Sequence, residues 1–411
     1  MNHLFSDPHA LNRLRQKPLG PYLDSFAELL REQGYTRSSA RLQIQMVAAF
    51  NEWLQKEDIG AQELTSEHFR KYLRYRDRRR LSNRSAAVSA VRRLLEFLCH
   101  KDVIGKEIAP SPTPAERLAA EFVHYLQEER SLAAASVVHY RKFVIRFLRD
   151  WFDVARKDLC GLRAADIIDF VRRQSSAQSP KESKVMTTAL RSFLQFARYQ
   201  NYISFDLVAA VPTVALWSMA SLPRSIPRDQ IELVLSSCNR ETATGRRDYA
   251  ILLLLARLGL RAGEIVSLKL EDIDWQKGRI SVNGKSGHRP HLPLPADVGE
   301  AIAAYLQNGR PRTKNRSVFL RGRAPIRGFK ESAAVCRIVE CALKRAGIDT
   351  ARKGSHQFRH SLATELLRQG ASLVEIGELL GHRSPRTTTI YAKVDLVSLS
   401  KLALPWPGGA Q

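Results

Sequence analysis

Apolar side chains recur every three to four residues through most of this chain, the period of helices that bury one face. Phe143, Phe147 and Trp151 are spaced by four, and Phe26, Leu29 and Leu30 by three and one. Arg247 to Leu258 reads as a helix with a buried face, stopped by Gly259; Glu264 to Lys269 continues helically after the turn. The period then changes. Arg279 to Asn283 alternates and is partly β-branched, which predicts a strand; Gly284 to Gly287 is a turn, and His288 to Leu294 returns as a second strand. From Asp297 onwards the pattern is helical again. Gly370 and Gly381 stand where glycine caps are expected, Ser372 with Glu375 forms a capping box, and Ser384-Pro385 opens one more helix. The predicted fold is mainly α with a small antiparallel sheet.

Breakers divide the chain into three blocks. Pro110, Pro112 and Pro114 mark one linker, and Pro212, Pro223 and Pro227 a second. The expected domains are therefore residues 1–105, 115–206 and 227–404. The first two blocks are alike. Trp53 and Trp151 are 98 residues apart, as are Leu64 and Leu162; Leu95 and Leu194, Phe97 and Phe196, and Ile104 and Ile203 are 99 apart. Two unrelated helical bundles align by apolar spacing alone, but paired tryptophans favour a duplicated helical module.

Composition narrows the class. The 411 residues carry 65 Lys and Arg against 41 Asp and Glu, a formal charge of +24, which favours a polyanionic partner. Arg70, Lys71, Arg74, Arg76, Arg78, Arg79, Arg80 and Arg84 fall in one window interrupted only by Asp77. Like charges one helical turn apart repel, and a phosphate backbone relieves that repulsion. Arg70, Lys71, Arg74, Arg78, Arg79 and Arg80 are accordingly candidate DNA contacts. No apolar run is long enough to span a bilayer, and the N-terminus lacks the hydrophobic core of a signal peptide. Five cysteines without a CxxC predict neither a disulfide framework nor a zinc cluster. A soluble protein of a reducing cytoplasm is expected.

The third block carries polar groups in unusual places. Arg261 follows an apolar helix directly, so its guanidinium is expected to be partly buried, with Glu264 the nearest acid. Lys285 tips the predicted β-turn. His356 and Arg359 share a helix face with His360 beside them, an arrangement that favours an anion between them. His382 follows Gly381 on a tight turn, and Tyr391 closes the helix that starts at Pro385.

These pieces resemble the tyrosine recombinases, the phage integrase family, over about Pro227 to Lys393. Gly259-Leu260-Arg261-Ala262-Gly263-Glu264-Ile265 is similar to its first arginine box, and Val282 to Leu294 to its lysine hairpin. His356-Gln357-Phe358-Arg359-His360 is similar to its His-x-x-Arg box, and Leu379-Leu380-Gly381-His382 through Tyr391 to its last box. The resemblance implies a nucleophile, Tyr391, that forms a 3′-phosphotyrosyl link to DNA, reversible without ATP, metal or other cofactor. Arg261 and Arg359 would clamp the non-bridging phosphate oxygens, because guanidinium forks match phosphate and stay charged. His382 would donate to the same phosphate, His356 would assist the tyrosine proton, and Lys285 would protonate the leaving 5′-oxygen. Glu264 and His360 would support the site. It further implies that 115–206 is a core-binding domain closing on duplex DNA with the catalytic domain as a C-shaped clamp. A homotetramer on two recombination sites, alone or with a related recombinase, is the expected working form, with no membrane role and a bacterial nucleoid as its place. Two positions depart from the family pattern: Lys393 stands where a histidine is frequent, and Arg383 where a small polar residue is. The module ahead of the core-binding domain is also unusual.

Three rivals predict other features. A metal-dependent nuclease needs convergent carboxylates, and the third block offers Asp272 and Asp274 but no second convergent acidic set and no HExxH. A type IB topoisomerase shares the tyrosine chemistry without pairing two sites. A non-catalytic DNA-binding regulator has no use for the tyrosine and both arginines together.

Overall fold

The computed structural model describes residues 4, 15, 18–105, 112–153, 158–215, 225–283, 289–350, 354–382 and 384–394. It is mainly helical, with one three-stranded antiparallel sheet, as the periodicity predicts. The chain divides into two compact units: Ile108–Ala220, and Met1–Glu107 together with Ser221–Gln411.

The N-terminal part of the larger unit holds four helices, α1 (Gly20–Glu32), α2 (Arg37–Lys56), α3 (Ser66–Arg78) and α4 (Arg84–His100). The Thr36 and Thr65 hydroxyls cap α2 and α3 by accepting the Ser39 and His68 amides. Phe26, Leu30, Ile44, Phe50 and Leu94 fill the core. The smaller unit has the same order of elements: α5 (Pro114–Glu128), α6 (Ala134–Phe152), α7 (Ala164–Ser176) and α8 (Pro180–Tyr199). Pro114, read from the sequence as linker, is the first residue of α5, where its missing N–H costs nothing. Thr113 and Glu116 close a reciprocal capping box in front of it. Trp53 and Trp151 are both buried near the end of the second helix of their module. Leu64 with Leu162, Phe97 with Phe196 and Ile104 with Ile203 are likewise buried in the two cores.

The C-terminal part of the larger unit comprises α9 (Arg228–Ser236), α10 (Ala243–Leu258), α11 (Ala262–Ser267), the strands β1 (Ile273–Asp274), β2 (Arg279–Ser281) and β3 (His291–Pro293), α12 (Ala296–Asn308), α13 (Ala333–Arg345), α14 (His356–Arg368), α15 (Leu373–Leu379) and α16 (Pro385–Thr388), then a 3-10 helix, Thr389–Val394. Helix α10 is the axis. Ala250 through Ala256 are all buried, so the middle of this helix is apolar all round, with α12 and α14 packed against the helix. Strand β2 pairs Ile280 with Leu292 of β3 and with Ile273 of β1. The two-residue β1 has no counterpart in the sequence pattern, because so short a strand shows no alternation to read. The turn 284–287 between β2 and β3, with Lys285, lies outside the described residues.

Two further differences have physical causes. The helix expected from Pro385 to Ala392 ends at Thr388 and tightens to 3-10 geometry. Thr387, Thr388, Thr389 and Ile390 are all β-branched, which weakens an α-helix and favours a short tight turn. The first and third blocks, separated in sequence, also touch. The Ile326 amide donates to the Gln33 carbonyl (2.8 Å) just after α1. A Cβ on Gly34, which has φ +79°, would lie 2.5 Å from Ile326 Cγ1, so glycine permits this approach.

Candidate active site

Helix α10 ends at Gly259, whose φ of +59° turns the chain sharply into Leu260 and Arg261. A Cβ there would sit 2.8 Å from Leu380 Cδ2 and 3.0 Å from Leu362 Cδ2. The glycine thus lets α14 and the end of α15 close on this turn. Arg261 immediately precedes α11. Its Nη1 donates to Glu264 Oε1 (2.6 Å), and its own amide donates to Glu264 Oε2 (2.8 Å). Glu264 is buried, and by holding both ends of Arg261 it fixes the guanidinium, whose Nη2 donates to the Gly381 carbonyl (3.2 Å). The arginine side chain stays 38% exposed, so it is available from solvent.

Arg359, on α14, is buried. Its Nη1 donates to the Gly259 carbonyl (2.7 Å) and its Nη2 to the Leu380 carbonyl. Among the described residues it makes no ion pair. Burial, and Arg261 beside it, hold the guanidinium down to about 10, still charged at neutral pH. Two cations thus lie close together, and the Glu264 carboxylate is bonded to Arg261.

Tyr391 is 2% exposed and packs with Ala363, Ile376 and Leu380. Burial pushes its phenol above the usual value, and the charge of Arg359 partly offsets this. The hydroxyl lies 3.0 Å from His360 Nδ1. On the other side the His382 ring lies nearly parallel to the tyrosine ring, at 6° with centroids 6.5 Å apart. His382 Nδ1 is 2.8 Å from Thr388 Oγ1. Burial first, then Arg359, Arg261 and His360, push the His382 imidazole down to about 4, so it is neutral at pH 7.

The structure therefore brings together Arg261, Glu264, Arg359, His360, His382 and Tyr391. His356 stands exposed as the first residue of α14, three residues before Arg359. The sequence assigns the tyrosine proton to His356 and only support to His360, yet the tyrosine hydroxyl sits on His360. Thr388 is not among the residues the sequence points to, since a threonine in a threonine run carries no signal by itself. Asp272 and Asp274 accept the main-chain amides of Lys269 and Lys277, as turn-formers do. Among the described residues no group of three or more His, Cys, Asp or Glu could hold a metal ion, and no helix is long and apolar enough to cross a membrane.

The basic window on α3 divides in two. Arg70, Lys71, Arg74, Arg78, Arg79 and Arg80 are exposed. Arg76 is turned inward, donating to the Tyr72 hydroxyl (3.2 Å) and to the Ser82 carbonyl. Asp77 pairs with Arg84 (2.8 Å) and Glu67 with Lys71 (3.8 Å).

The neutral state of His382 has a consequence for stability. Its folded pKa lies below the reference value of 6.5, so the unfolded chain binds more protons between the two. Its contribution is complete above about pH 6.5 and drains as pH falls toward 4. The melting temperature should fall from pH 7 to pH 5 in the wild type, and by a smaller step in H382Q. Equal steps in both proteins would show that His382 is not held neutral.

The sequence matches two family models. The phage integrase family model covers residues 224–396, and the phage integrase N-terminal SAM-like domain model matches twice, at 23–102 and 119–201. The chain is 49% identical to "Putative integrase/recombinase y4rA" of Sinorhizobium fredii over the full length of both. It is 31% identical to the tyrosine recombinase XerD of Listeria monocytogenes, over 69% of this chain and 95% of that one. In fold it is similar to the XerH site-specific recombinase bound to a palindromic difH substrate (TM-score 0.56, 20% identity, 76% of this chain and 94% of that one). It is also similar to a lambda integrase dimer bound to a core site (TM-score 0.52, 17% identity, 67% and 94%). The chain belongs to the phage integrase family of tyrosine recombinases, enzymes that cleave and rejoin DNA.

Proposed function

We propose that this protein exchanges DNA strands at specific sites through a covalent 3′-phosphotyrosyl link to Tyr391, serving integration, excision or resolution of a mobile element. The observation that carries the reading is the buried Arg359, held on two main-chain carbonyls beside Arg261, His382 and Tyr391. A desolvated cation without a carboxylate of its own is costly unless an anion shares the site. A scissile phosphate supplies that anion. Arg261 and Arg359 bind its non-bridging oxygens and His382 donates a further hydrogen bond. Glu264 orients Arg261 through its two hydrogen bonds.

In the first step the Tyr391 oxygen attacks phosphorus, and its proton leaves to His360 Nδ1, the base at 3.0 Å. The P–O5′ bond breaks, and Lys285 supplies the proton of the departing 5′-hydroxyl. His356 assists from the start of α14. The phosphodiester energy is kept in the tyrosyl ester, so rejoining needs no ATP, and neither step calls for a metal or cofactor. The full-length likeness to a relative named for integration and recombination supports site-specific exchange over topoisomerase or regulator readings.

Residues 115–206 serve in this reading as the core-binding domain and 227–404 as the catalytic domain, acting as a tetramer on two duplex sites. Residues 1–105 form a second DNA-binding module that uses the exposed face of α3. Replacing Arg70, Arg74 and Arg78 by alanine should weaken duplex binding. It should also shallow the slope of log affinity against log salt by about one unit for each phosphate left unneutralised. An unchanged slope would take α3 off the DNA. The reading as a whole is tested by incubating the protein with a nicked suicide duplex in EDTA. A denaturation-resistant protein–DNA adduct is expected. Its appearance only with divalent metal, or not at all, would reject the proposal.

A further inference from the structure

We propose that Thr388 is a positioning residue for catalysis: its hydroxyl donates to His382 Nδ1 and so favours the ring tautomer with the proton on Nε2, ready for the phosphate. This rests on His382 being a donor to the scissile phosphate.

Thr388 is the last residue of α16, is buried, and places Oγ1 2.8 Å from His382 Nδ1. The neighbouring backbone is shaped around this pair. The His382 amide donates to the Gly377 carbonyl (2.8 Å), which fixes the residue. A Cβ on Gly377 would lie 2.9 Å from Thr388 Oγ1, so the glycine lets α15 come against the hydroxyl. The Tyr391 ring lies parallel to the imidazole and limits its tilt. With backbone, ring plane and Nδ1 set, the remaining freedom is which nitrogen carries the proton.

That choice decides whether the ring can work. A neutral imidazole has one N–H and one lone pair. If Nδ1 carries the proton, it donates to Thr388, and Nε2 meets the phosphate lone pair to lone pair. If the threonine O–H donates to Nδ1, Nε2–H donates to the phosphate. A second proton would make the choice irrelevant, but the surrounding groups oppose it. Burial opposes it most, and Arg359 on α14, Arg261 before α11 and His360 on α14, which lie around the ring, add to its effect. Among the described residues Tyr391, whose ring also lies against the imidazole, carries no charge to offset them.

The test compares wild type, T388V and T388S in single-turnover formation of the covalent adduct. The substrate is a nicked suicide duplex carrying the site recovered from adducts selected out of a randomised duplex library. T388V, which keeps shape and removes the hydroxyl, should slow adduct formation about tenfold at pH 7.5, while T388S stays within about twofold of wild type. The ratio of T388V to wild type should rise toward unity as pH is lowered, because an imidazolium donates from both nitrogens. In the H382Q background T388V should add no further loss. A packing role predicts the reverse order, with T388V active and T388S slow, and that order overturns the proposal. So does an equal T388V loss with and without His382. A wild-type adduct matched by an equally fast T388V overturns this proposal alone. Absence of any wild-type adduct overturns the recombinase reading and this proposal with it.

Discussion

Replacing Tyr391 by phenylalanine should lower covalent adduct formation by about 10⁴-fold or more while duplex affinity stays within about twofold. The phenol oxygen is the atom proposed to bond phosphorus, and nothing else about the site need change on its removal. The ring stays packed with Ala363, Ile376 and Leu380. Removing the hydrogen bond to His360 costs about 1 kcal/mol, too little to unfold the domain. Most of the affinity comes from phosphate contacts elsewhere, which the substitution leaves alone. Adduct formation on a suicide duplex, read beside a gel-shift titration, separates the two effects. A fall in binding as large as the fall in cleavage would mean that the side chain supports the fold and not the chemistry.

The second large effect is expected from R359K. The guanidinium is planar, spans the Gly259 and Leu380 carbonyls with Nη1 and Nη2, and keeps further N–H groups for a phosphate. An ammonium is a point charge that cannot make the same fork. Adduct formation should fall about 10²–10³-fold, the size expected when one transition-state donor group is removed. Stability should also fall, by about 1–3 kcal/mol, because the arginine ties the turn after α10 to the end of α15. Melting temperature is measured alongside, so that the rate is compared on folded protein. Near-wild-type cleavage by R359K would remove Arg359 from the phosphate clamp.

What the sequence discloses, and what it does not, follows from the kind of contact involved. Helices are legible because burial of one face repeats every 3.6 residues, and the buried run from Ala250 shows that signal at its strongest. The Arg261–Glu264 pair is legible because residues three apart on a tight start of helix must meet. The partners of Arg359 are not. They are main-chain carbonyls 100 and 21 residues away, and any residue type offers a carbonyl. The position of the tyrosine hydroxyl beside His360 has a similar origin. His356 and His360 both lie on α14, and which one meets Tyr391 depends on where the 3-10 segment Thr389–Val394 crosses that helix. Thr388 is hidden for the same reason, since its value comes from facing His382 across a turn that α15 closes.

The convergence of both arginines, two histidines and one phenol is also informative about where the chain gives up stability. Burial and the neighbouring Arg261 disfavour the charge of Arg359, and His382 is held neutral against its ordinary tendency. Such strain is expected where a bound anion will relieve it. The glycines at 259 and 377 allow the approach of backbones that makes this crowding possible.

The most direct test of the central claim is to digest the trapped adduct and locate the nucleotide by fragmentation mass spectrometry. A nucleotide joined through its 3′-phosphate to the oxygen of Tyr391 is expected. A nucleotide on any other residue, or one linked through a 5′-phosphate, would contradict it.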